Sequence, residues 1–119
     1  MRYTESHEWV LCKGNIATIG ITPYAQKELG EIVYVELPPL GKIVRAKEEI
    51  CVLESTKAAV DIYAPISGKV VAVNELLKKT PALINQKAEK EGWLFQIECT
   101  DPKELDSLMS EKEYRSLIG

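Results

Sequence analysis

The sequence is poor in the residues that build disulfide frameworks and metal sites. Its 119 residues contain three cysteines, Cys12, Cys51 and Cys99, and no Cys-x-x-Cys spacing. An odd number of cysteines, each in or beside an apolar strand-like run, predicts buried free thiols in a reducing compartment. A structural disulfide or a zinc site is not expected. The single histidine, His7, cannot form a metal cluster alone.

Other absences limit the partners and the chemistry. The net charge is −3 and no Lys/Arg cluster forms a basic stripe, which argues against a nucleic-acid partner. No segment resembles a signal peptide and no apolar run reaches membrane length, which argues against a membrane partner. We therefore expect a bacterial-type cytoplasmic protein, or a mitochondrial matrix protein if the source is eukaryotic. No Ser/His/Asp set, metal cluster or phosphate loop appears, so the chain is not expected to be an enzyme by itself.

The overall composition is that of one ordinary globular domain. Hydrophobic residues make up 45% and charged residues 28% of the chain. A chain of this length can bury a core of its own, so a single domain over residues 1–119 is expected. Its core is expected to span about residues 16–99, and residues 101–118 form a helical tail.

Alternating, β-branched segments predict a mainly β fold. The expected strands cover residues 9–12, 16–21, 31–37, 50–54, 60–64, 69–74 and 93–99. Residues 13–15 predict a hairpin turn between the first two strands. Thr22 as N-cap, Pro23 at the first helical position and Gly30 after the last turn predict a short helix between them.

Helix-capping patterns predict the remaining local structure. Asn74 is placed to cap a brief helical turn, and residues 85–92 form a polar loop that is helical or mobile. In the tail, Asp101 with Glu104 three residues later predicts a capping box. A second helix start is predicted at Ser110, and the apolar stripe of the tail is expected to cover the core.

The segment over residues 51–65 predicts two short strands joined by a tight hairpin with Lys57 at its tip. Pro65 ends the second strand because it has no N–H for the ladder. The residues around the lysine are small: Thr56, Ala58 and Ala59. The amine is therefore expected to be extended and accessible to an enzyme. A solvated turn lysine without a function is the alternative.

Two segments of the sequence resemble each other. Gly30–Glu36 and Gly68–Asn74 follow the same pattern at an offset of 38 residues. Each is followed by a turn, then by a polar segment, and then by a closing apolar strand. Two similar half-units predict a quasi-two-fold β-sandwich or flattened barrel, with Lys57 at the joint between the halves.

From about residue 3 to residue 115, the chain resembles the H protein family of the glycine cleavage system, which carries lipoic acid. The matching pieces are Ser6-His7-Glu8-Trp9-Val10, Gly20-Ile21-Thr22, Leu29-Gly30, Val35-Glu36-Leu37-Pro38, Glu54-Ser55-Thr56-Lys57-Ala58, Pro65-Ile66-Ser67-Gly68, Val73-Asn74, Pro81, Asn85 and Gly92-Trp93. The resemblance rests on their order and spacing. It implies a lipoyl/biotinyl-type β-sandwich (a barrel-sandwich hybrid) with short flanking helices and a helical tail.

The resemblance also implies a function, that of a lipoyl-bearing shuttle protein. Lys57 maps onto the lysine that carries lipoic acid as an amide, and Glu54, Ser55, Thr56 and Ala58 form its recognition hairpin. A glycine decarboxylase (P protein) would load an aminomethyl group, and an aminomethyltransferase (T protein) would pass the one-carbon unit to tetrahydrofolate. Dihydrolipoamide dehydrogenase (L protein) would reoxidise the dithiol, and a lipoate ligase or lipoyl transferase would attach the group. The chain itself would be a non-catalytic carrier.

The loaded arm needs a docking site, because its aminomethyl sulfide is labile in water. A carboxylate would bind the ammonium group by charge-assisted hydrogen bonds. We expect Glu8 and Asp61 to line this site, with Ser6 beside Glu8. The alternative is that both carboxylates are simply solvated. His7 is expected to be a packed or capping side chain and not a proton shuttle.

The sequence departs from the family pattern at a few positions. Thr56 stands where valine is usual, Glu31 where aspartate is common, and Lys87–Glu91 replaces a common Pro-Tyr turn. These changes leave open a divergent H-like lipoyl carrier or relay that serves other lipoate-dependent enzymes. A lipoyl domain of a 2-oxo acid dehydrogenase would have an Asp-Lys-Ala apex, and a biotin carrier would have methionine on both sides of the lysine. A structural module with unmodified Lys57 is the remaining alternative.

Overall fold

Two antiparallel sheets form the frame of the protein in the computed structural model, which describes residues 1–119. The strands are β1 (Arg2–Tyr3), β2 (Glu8–Lys13), β3 (Ile16–Ile21), β4 (Ile32–Glu36), β5 (Ile43–Val44), β6 (Glu49–Ser55), β7 (Ala59–Tyr63), β8 (Gly68–Val73) and β9 (Phe95–Cys99). The helices are α1 (Pro23–Leu29), α2 (Leu76–Lys79), α3 (Leu83–Gln86) and α4 (Glu111–Ile118), with a 3₁₀ helix at Pro102–Ser107. No helix is both long and apolar enough to span a membrane.

The strand order places the hairpin of interest in the smaller sheet. The six-stranded sheet has the order β1-β2-β3-β9-β8-β5, and the three-stranded sheet has the order β4-β6-β7. One cluster of buried apolar side chains joins the two sheets, with Ile19, Phe95 and Ile97 from the larger one and Leu53 from the smaller. The predicted mainly β fold is confirmed.

The β2–β3 hairpin and helix α1 form where the local sequence signals predicted them. Strands β2 and β3 form a hairpin in which Lys13 pairs with Ile16, and Gly14 has a φ of 61° in the turn. Thr22 caps α1 by accepting a hydrogen bond from the Ala25 N–H at 3.2 Å. A side-chain oxygen in this position satisfies a donor that the helix leaves free.

The two similar segments occupy equivalent places in the two sheets. Strand β4 pairs with the closing strand β6, and β8 pairs with the closing strand β9. Each ladder also contains a register shift at the same position of the pattern, between Ile32 and Tyr34 in one and between Val70 and Ala72 in the other. The repeat therefore includes its β-bulge, which supports the predicted quasi-two-fold arrangement.

The prediction that Asn74 caps a helical turn is wrong. Helix α2 begins at Leu76 and has no side-chain cap. The Asn74 amide instead donates to the carbonyl oxygens of Glu91, at 2.7 Å, and Trp93, at 2.9 Å. Asn74 is buried, and a buried amide is stable only when its donors are satisfied, so it ties the loop before β9 to the end of β8.

The polar loop over residues 85–92 is fixed to the rest of the fold. Its first part belongs to α3, and Ala88 is buried. The indole N–H of Trp9 donates to the Ala88 carbonyl oxygen at 2.9 Å. This bond connects the segment Lys87–Glu91, which departs from the family pattern, to strand β2.

The tail is helical in two separate parts. Asp101 caps the 3₁₀ helix by accepting from the Lys103 N–H at 3.1 Å, but Glu104 does not close the predicted capping box. Its carboxylate instead accepts from the N–H of Ser67 at 2.7 Å and from its hydroxyl at 2.8 Å. The capping box predicted at Ser110 is confirmed, with Glu113 as its second member.

All three cysteines are free, as predicted, but they differ in burial. Cys51 is buried, whereas Cys12 and Cys99 are half-buried. Burial raises the pKa of Cys51 to about 12 and the pKa of Cys99 to about 11. These two thiols are therefore protonated at neutral pH.

Candidate functional site

Lys57 lies at the tip of the β6–β7 hairpin. Glu54 pairs with Ala59, which leaves the lysine in the connecting segment. Ser55 fixes this segment, because its hydroxyl oxygen accepts from the N–H groups of Lys57 and Ala58, both at 3.1 Å. The backbone N–H of Ser55 also donates to the Ala58 carbonyl oxygen at 2.8 Å. The apex is rigid although its side chains are exposed.

Strand β4 and helix α1 support one side of this apex. The Thr56 N–H donates to the Glu31 carbonyl oxygen at 3.0 Å. The Lys57 amine donates to the Glu28 carbonyl oxygen at 3.3 Å, at the carboxyl end of α1. Carbonyl groups at a helix end carry partial negative charge and attract cations. The side chain passes over Gly30, where an added Cβ would lie 3.0 Å from the Lys57 Cε.

Asp61 lies on the outer face of the three-stranded sheet. It pairs with Val52, which pairs in turn with Glu36 on β4. The Asp61 side chain is exposed. Because side chains alternate along a strand, Asp61 and Tyr63 share one face of β7.

A groove of about 780 Å³ lies beside the end of β7. Its walls come from the N-terminal segment, the turn before β6, the end of β7 and the tail, and include Ser6, Glu8, Lys47, Tyr63 and Met109. Asp61 and Lys57 are not among the lining residues. The structure therefore brings Ser6 and Glu8 together in a groove and leaves Asp61 outside it.

Glu8 is a buried acid with one free oxygen. The residue is only 1% exposed. Its Oε1 accepts from the Ser6 hydroxyl at 2.7 Å and from the Thr4 hydroxyl. Its Oε2 is the one buried side-chain polar atom that lacks a hydrogen-bond partner. Leaving such an atom unpaired costs about 1–3 kcal/mol, and more when it is charged.

Burial raises the pKa of the Glu8 carboxyl, and the hydrogen bonds from Thr4 and Ser6 offset part of that rise. The backbone N–H of Tyr63 also favours the charged form, although it does not form a full hydrogen bond to Oε2. Sequence reasoning did not identify Thr4 or Tyr63. Thr4, Ser6 and Glu8 lie at every second position of the sequence. This spacing puts two hydroxyl groups and a carboxyl group on one side of an extended segment, and it is the signal that could have identified Thr4.

His7 is a packed side chain, as predicted. Its Nδ1 lies 2.9 Å from the Tyr114 hydroxyl, which lies 2.6 Å from the Thr22 hydroxyl. Its backbone has a φ of 71°, and its carbonyl oxygen accepts from the Thr22 N–H at 3.0 Å. This network fixes the N-terminal segment between α1 and α4, and so holds Ser6 and Glu8 in place.

Comparisons with known proteins agree with this architecture. The family described as Glycine cleavage H-protein matches residues 1–119. A glycine cleavage system H protein from Parvibaculum lavamentivorans is 49% identical over 118 residues, 99% of this chain and 94% of that protein. One from Thermotoga maritima is 50% identical over 118 residues, 99% of this chain and 95% of that protein.

A solved structure gives the same result for the fold. The crystal structure of a glycine cleavage system H protein from Mycobacterium marinum superposes with a TM-score of 0.89 at 35% sequence identity. The superposition covers 98% of this chain and 94% of that chain. The predicted lipoyl-type β-sandwich is confirmed.

Proposed function

Because the chain belongs to the glycine cleavage H-protein family, a family of lipoyl carriers, we propose that it is the shuttle protein of a glycine cleavage system, with a lipoyl group on Lys57. The observation that carries the proposal is the exposed lysine at the tip of a rigid hairpin. The chain would visit glycine decarboxylase, aminomethyltransferase and dihydrolipoamide dehydrogenase in turn, and a lipoate ligase or lipoyl transferase would modify it. It would catalyse none of these reactions itself.

The residues around Lys57 fit a lipoyl group joined to its amine. Such a group supplies a dithiolane that accepts a one-carbon unit and passes on reducing equivalents. Ser55 holds the backbone of the apex in one conformation, so enzymes meet the start of the Lys57 side chain at a fixed position. Forming the amide removes the charge of Lys57 and weakens its bond to the Glu28 carbonyl oxygen, which frees the arm to move.

We further propose that the groove beside β7 receives the loaded arm. The unpaired Oε2 of Glu8 would accept a hydrogen bond from the ammonium of the aminomethyl group, and Ser6 and Thr4 hold Oε1 so that Oε2 stays free for it. Asp61, on the same face of β7 as the groove residue Tyr63, is the second candidate. It would act on the arm between the hairpin tip and the groove.

The intact mass of the chain purified from its native cell tests the attachment. We expect one lipoyl addition in the wild type, none in Lys57→Arg, and a normal addition in Lys69→Arg, which alters an exposed lysine on β8. Glycine-dependent CO₂ exchange with a glycine decarboxylase then tests the shuttle. A biotinyl mass or an unmodified wild type would refute the attachment, and a lipoylated chain without exchange would favour the relay.

The rate of spontaneous aminomethyl release tests the docking groove. Glu8→Ala in the loaded protein should release the group faster than the wild type, and Asp61→Ala should do so to a smaller degree. Glu98→Ala, an exposed carboxylate on β9, is the control and should have no effect. Unchanged kinetics for Glu8→Ala would exclude this role.

A further inference from the structure

A β-bulge beside the hairpin exposes two consecutive apolar side chains. The register of β4 against β6 shifts between Ile32 and Tyr34. Val33 and Tyr34 are each 50% exposed, whereas Ile32 and Val35 on either side are buried. Regular alternation would turn one of the pair inward, so the bulge directs both to solvent. We call Val33 and Tyr34 the bulge patch.

The fold does not require an aromatic residue at this bulge. The equivalent bulge of the second half-unit, at Val70–Ala72, carries Val71 and Ala72 in the places of Val33 and Tyr34. The same backbone irregularity is therefore compatible with a small side chain. A half-exposed tyrosine offers a large, stiff contact area, and such residues are common in the energetic centres of protein interfaces.

The bulge patch lies on the side of the hairpin to which the free amine points. Tyr34 pairs with Glu54, three residues before Lys57. The Lys57 amine bonds to the Glu28 carbonyl oxygen, and this contact places it over α1, which leads directly into β4. The groove that holds Glu8 lies by contrast at β7, the opposite edge of the three-stranded sheet. The unmodified amine and the loaded arm thus belong to different sides of the hairpin.

Carboxylates lie next to the bulge patch on β4, just before it and on the paired strand β6, and none has an ion-pair partner. They are Glu31, Glu36 and Glu54, all exposed, and none of the three forms an ion pair. A groove of about 570 Å³ continues from the patch along β4 to Leu40, which is 63% exposed. An apolar centre with an unpaired acidic rim fits a protein face with an apolar centre and a basic rim.

We propose that the bulge patch is the docking surface for the enzyme that acylates Lys57. The inference rests on the proposed function, since it takes Lys57 as the acceptor of a lipoyl group. The enzyme brings an activated lipoyl donor, an acyl-adenylate, to the amine. The Lys57 Nζ forms a bond to the acyl carbon, the bond from that carbon to the phosphate oxygen breaks, AMP leaves, and the ammonium gives up two protons.

Acylation of the purified unmodified chain by a lipoate ligase, with lipoate and ATP, tests the proposal. In Val33→Ser/Tyr34→Ser we expect kcat/KM for the protein substrate to fall about tenfold or more, mainly through KM, because truncating interface anchors costs about 1–2 kcal/mol or more. Higher salt should raise KM of the wild type, since the acidic rim acts through screened charges.

Two matched controls separate docking from folding. Val71→Ser alters the equivalent bulge of the other half-unit, and Ile43→Ser alters a side chain that is 67% exposed on β5. Both should be acylated at the wild-type rate. Tyr34→Phe should retain most of the rate, and circular dichroism with urea unfolding checks that each variant is folded.

Three results would overturn the inference. One is an unchanged kcat/KM in the folded double variant, and another is an equal loss in Val71→Ser. The third is normal acylation with a loss confined to glycine-dependent exchange, which would assign the patch to a later partner. A wild-type chain that neither a lipoate ligase nor a lipoyl transferase acylates would instead refute the proposed function itself, and the inference with it.

Discussion

Trp9 lies directly opposite Gly20 in the β2–β3 ladder, and its indole ring fills the space that a side chain at position 20 would need. A Cβ built on Gly20 would lie 2.7 Å from three ring atoms of Trp9. The ring is buried and bonded to the Ala88 carbonyl oxygen, so it cannot move aside without breaking that contact. Because position 20 has no side chain, the Trp9 ring can lie over strand β3 and bond to the loop before β9.

Gly20→Ala should lower the free energy of unfolding by about 1–3 kcal/mol, as for other overpacked cores. Urea unfolding followed by tryptophan fluorescence and circular dichroism measures the change. In a Trp9→Leu background, the added cost of Gly20→Ala should be smaller, because the ring that blocks the Cβ is gone. Equal costs in both backgrounds would contradict the explanation.

Tyr114→Phe should also destabilise the fold, by about 1–3 kcal/mol, because it leaves the buried Thr22 hydroxyl and His7 without a shared partner. Tyr24→Phe is the matched control. Tyr24 is 37% exposed and its hydroxyl has no hydrogen-bond partner, so its loss should change stability by less than about 0.5 kcal/mol. Thermal unfolding of both variants compares them, and equal shifts would argue against the network.

Glu104→Ala should loosen the tail, because it removes both hydrogen bonds to Ser67. The Ser67 N–H and hydroxyl would lose a charged acceptor, at a cost of about 1–3 kcal/mol. Asp106→Ala, an exposed carboxylate in the same 3₁₀ helix, should have little effect. Limited proteolysis should cleave the first variant earlier near residues 100–110, and equal cleavage rates would show that the contact does not hold the tail.

The buried carboxyl of Glu8 should make stability depend on pH. Its pKa in the folded protein lies above the ordinary value of 4.5, mainly because burial disfavours the charged form. Its contribution to stability is therefore fully present below the unfolded pKa and is lost as the pH rises through the folded pKa. The unfolding free energy of the wild type should fall relative to that of Glu8→Gln as the pH is raised from about 4.5 toward neutral.

Urea unfolding of the wild type and Glu8→Gln at several pH values measures this difference. Glu5→Gln, which alters an exposed neighbour, should show no such trend. A difference between the wild type and Glu8→Gln that does not change with pH would show that the carboxyl keeps an ordinary pKa.

Most of the fold was predictable because its signals are local. The strand alternation, the turn at Gly14, the cap at Thr22 and the capping box at Ser110 each depend on neighbours within a few residues. The repeat was also visible, because both half-units use the same strand pattern. Its shared bulge was not, since a register shift depends on the partner strand.

The errors in the prediction have a common cause. Asn74 and Glu104 both have side chains that suit a local cap, and the sequence places them where a cap belongs. In the folded chain they bond to distant backbone groups at Glu91, Trp93 and Ser67 instead. A long-range partner that is otherwise unsatisfied and buried competes successfully with a local cap on an exposed helix end.

The sequence by itself determined the strands, the hairpin and the position of Lys57 at its tip, because alternation, β-branching and small apex residues act over short distances. Only the tertiary structure decided which side of that tip each residue occupies. Packing placed Glu8 in a groove at one edge of the small sheet and turned Val33 and Tyr34 outward at the other. Which atoms meet across sheets and along a bulged edge depends on three-dimensional packing, which no local pattern records.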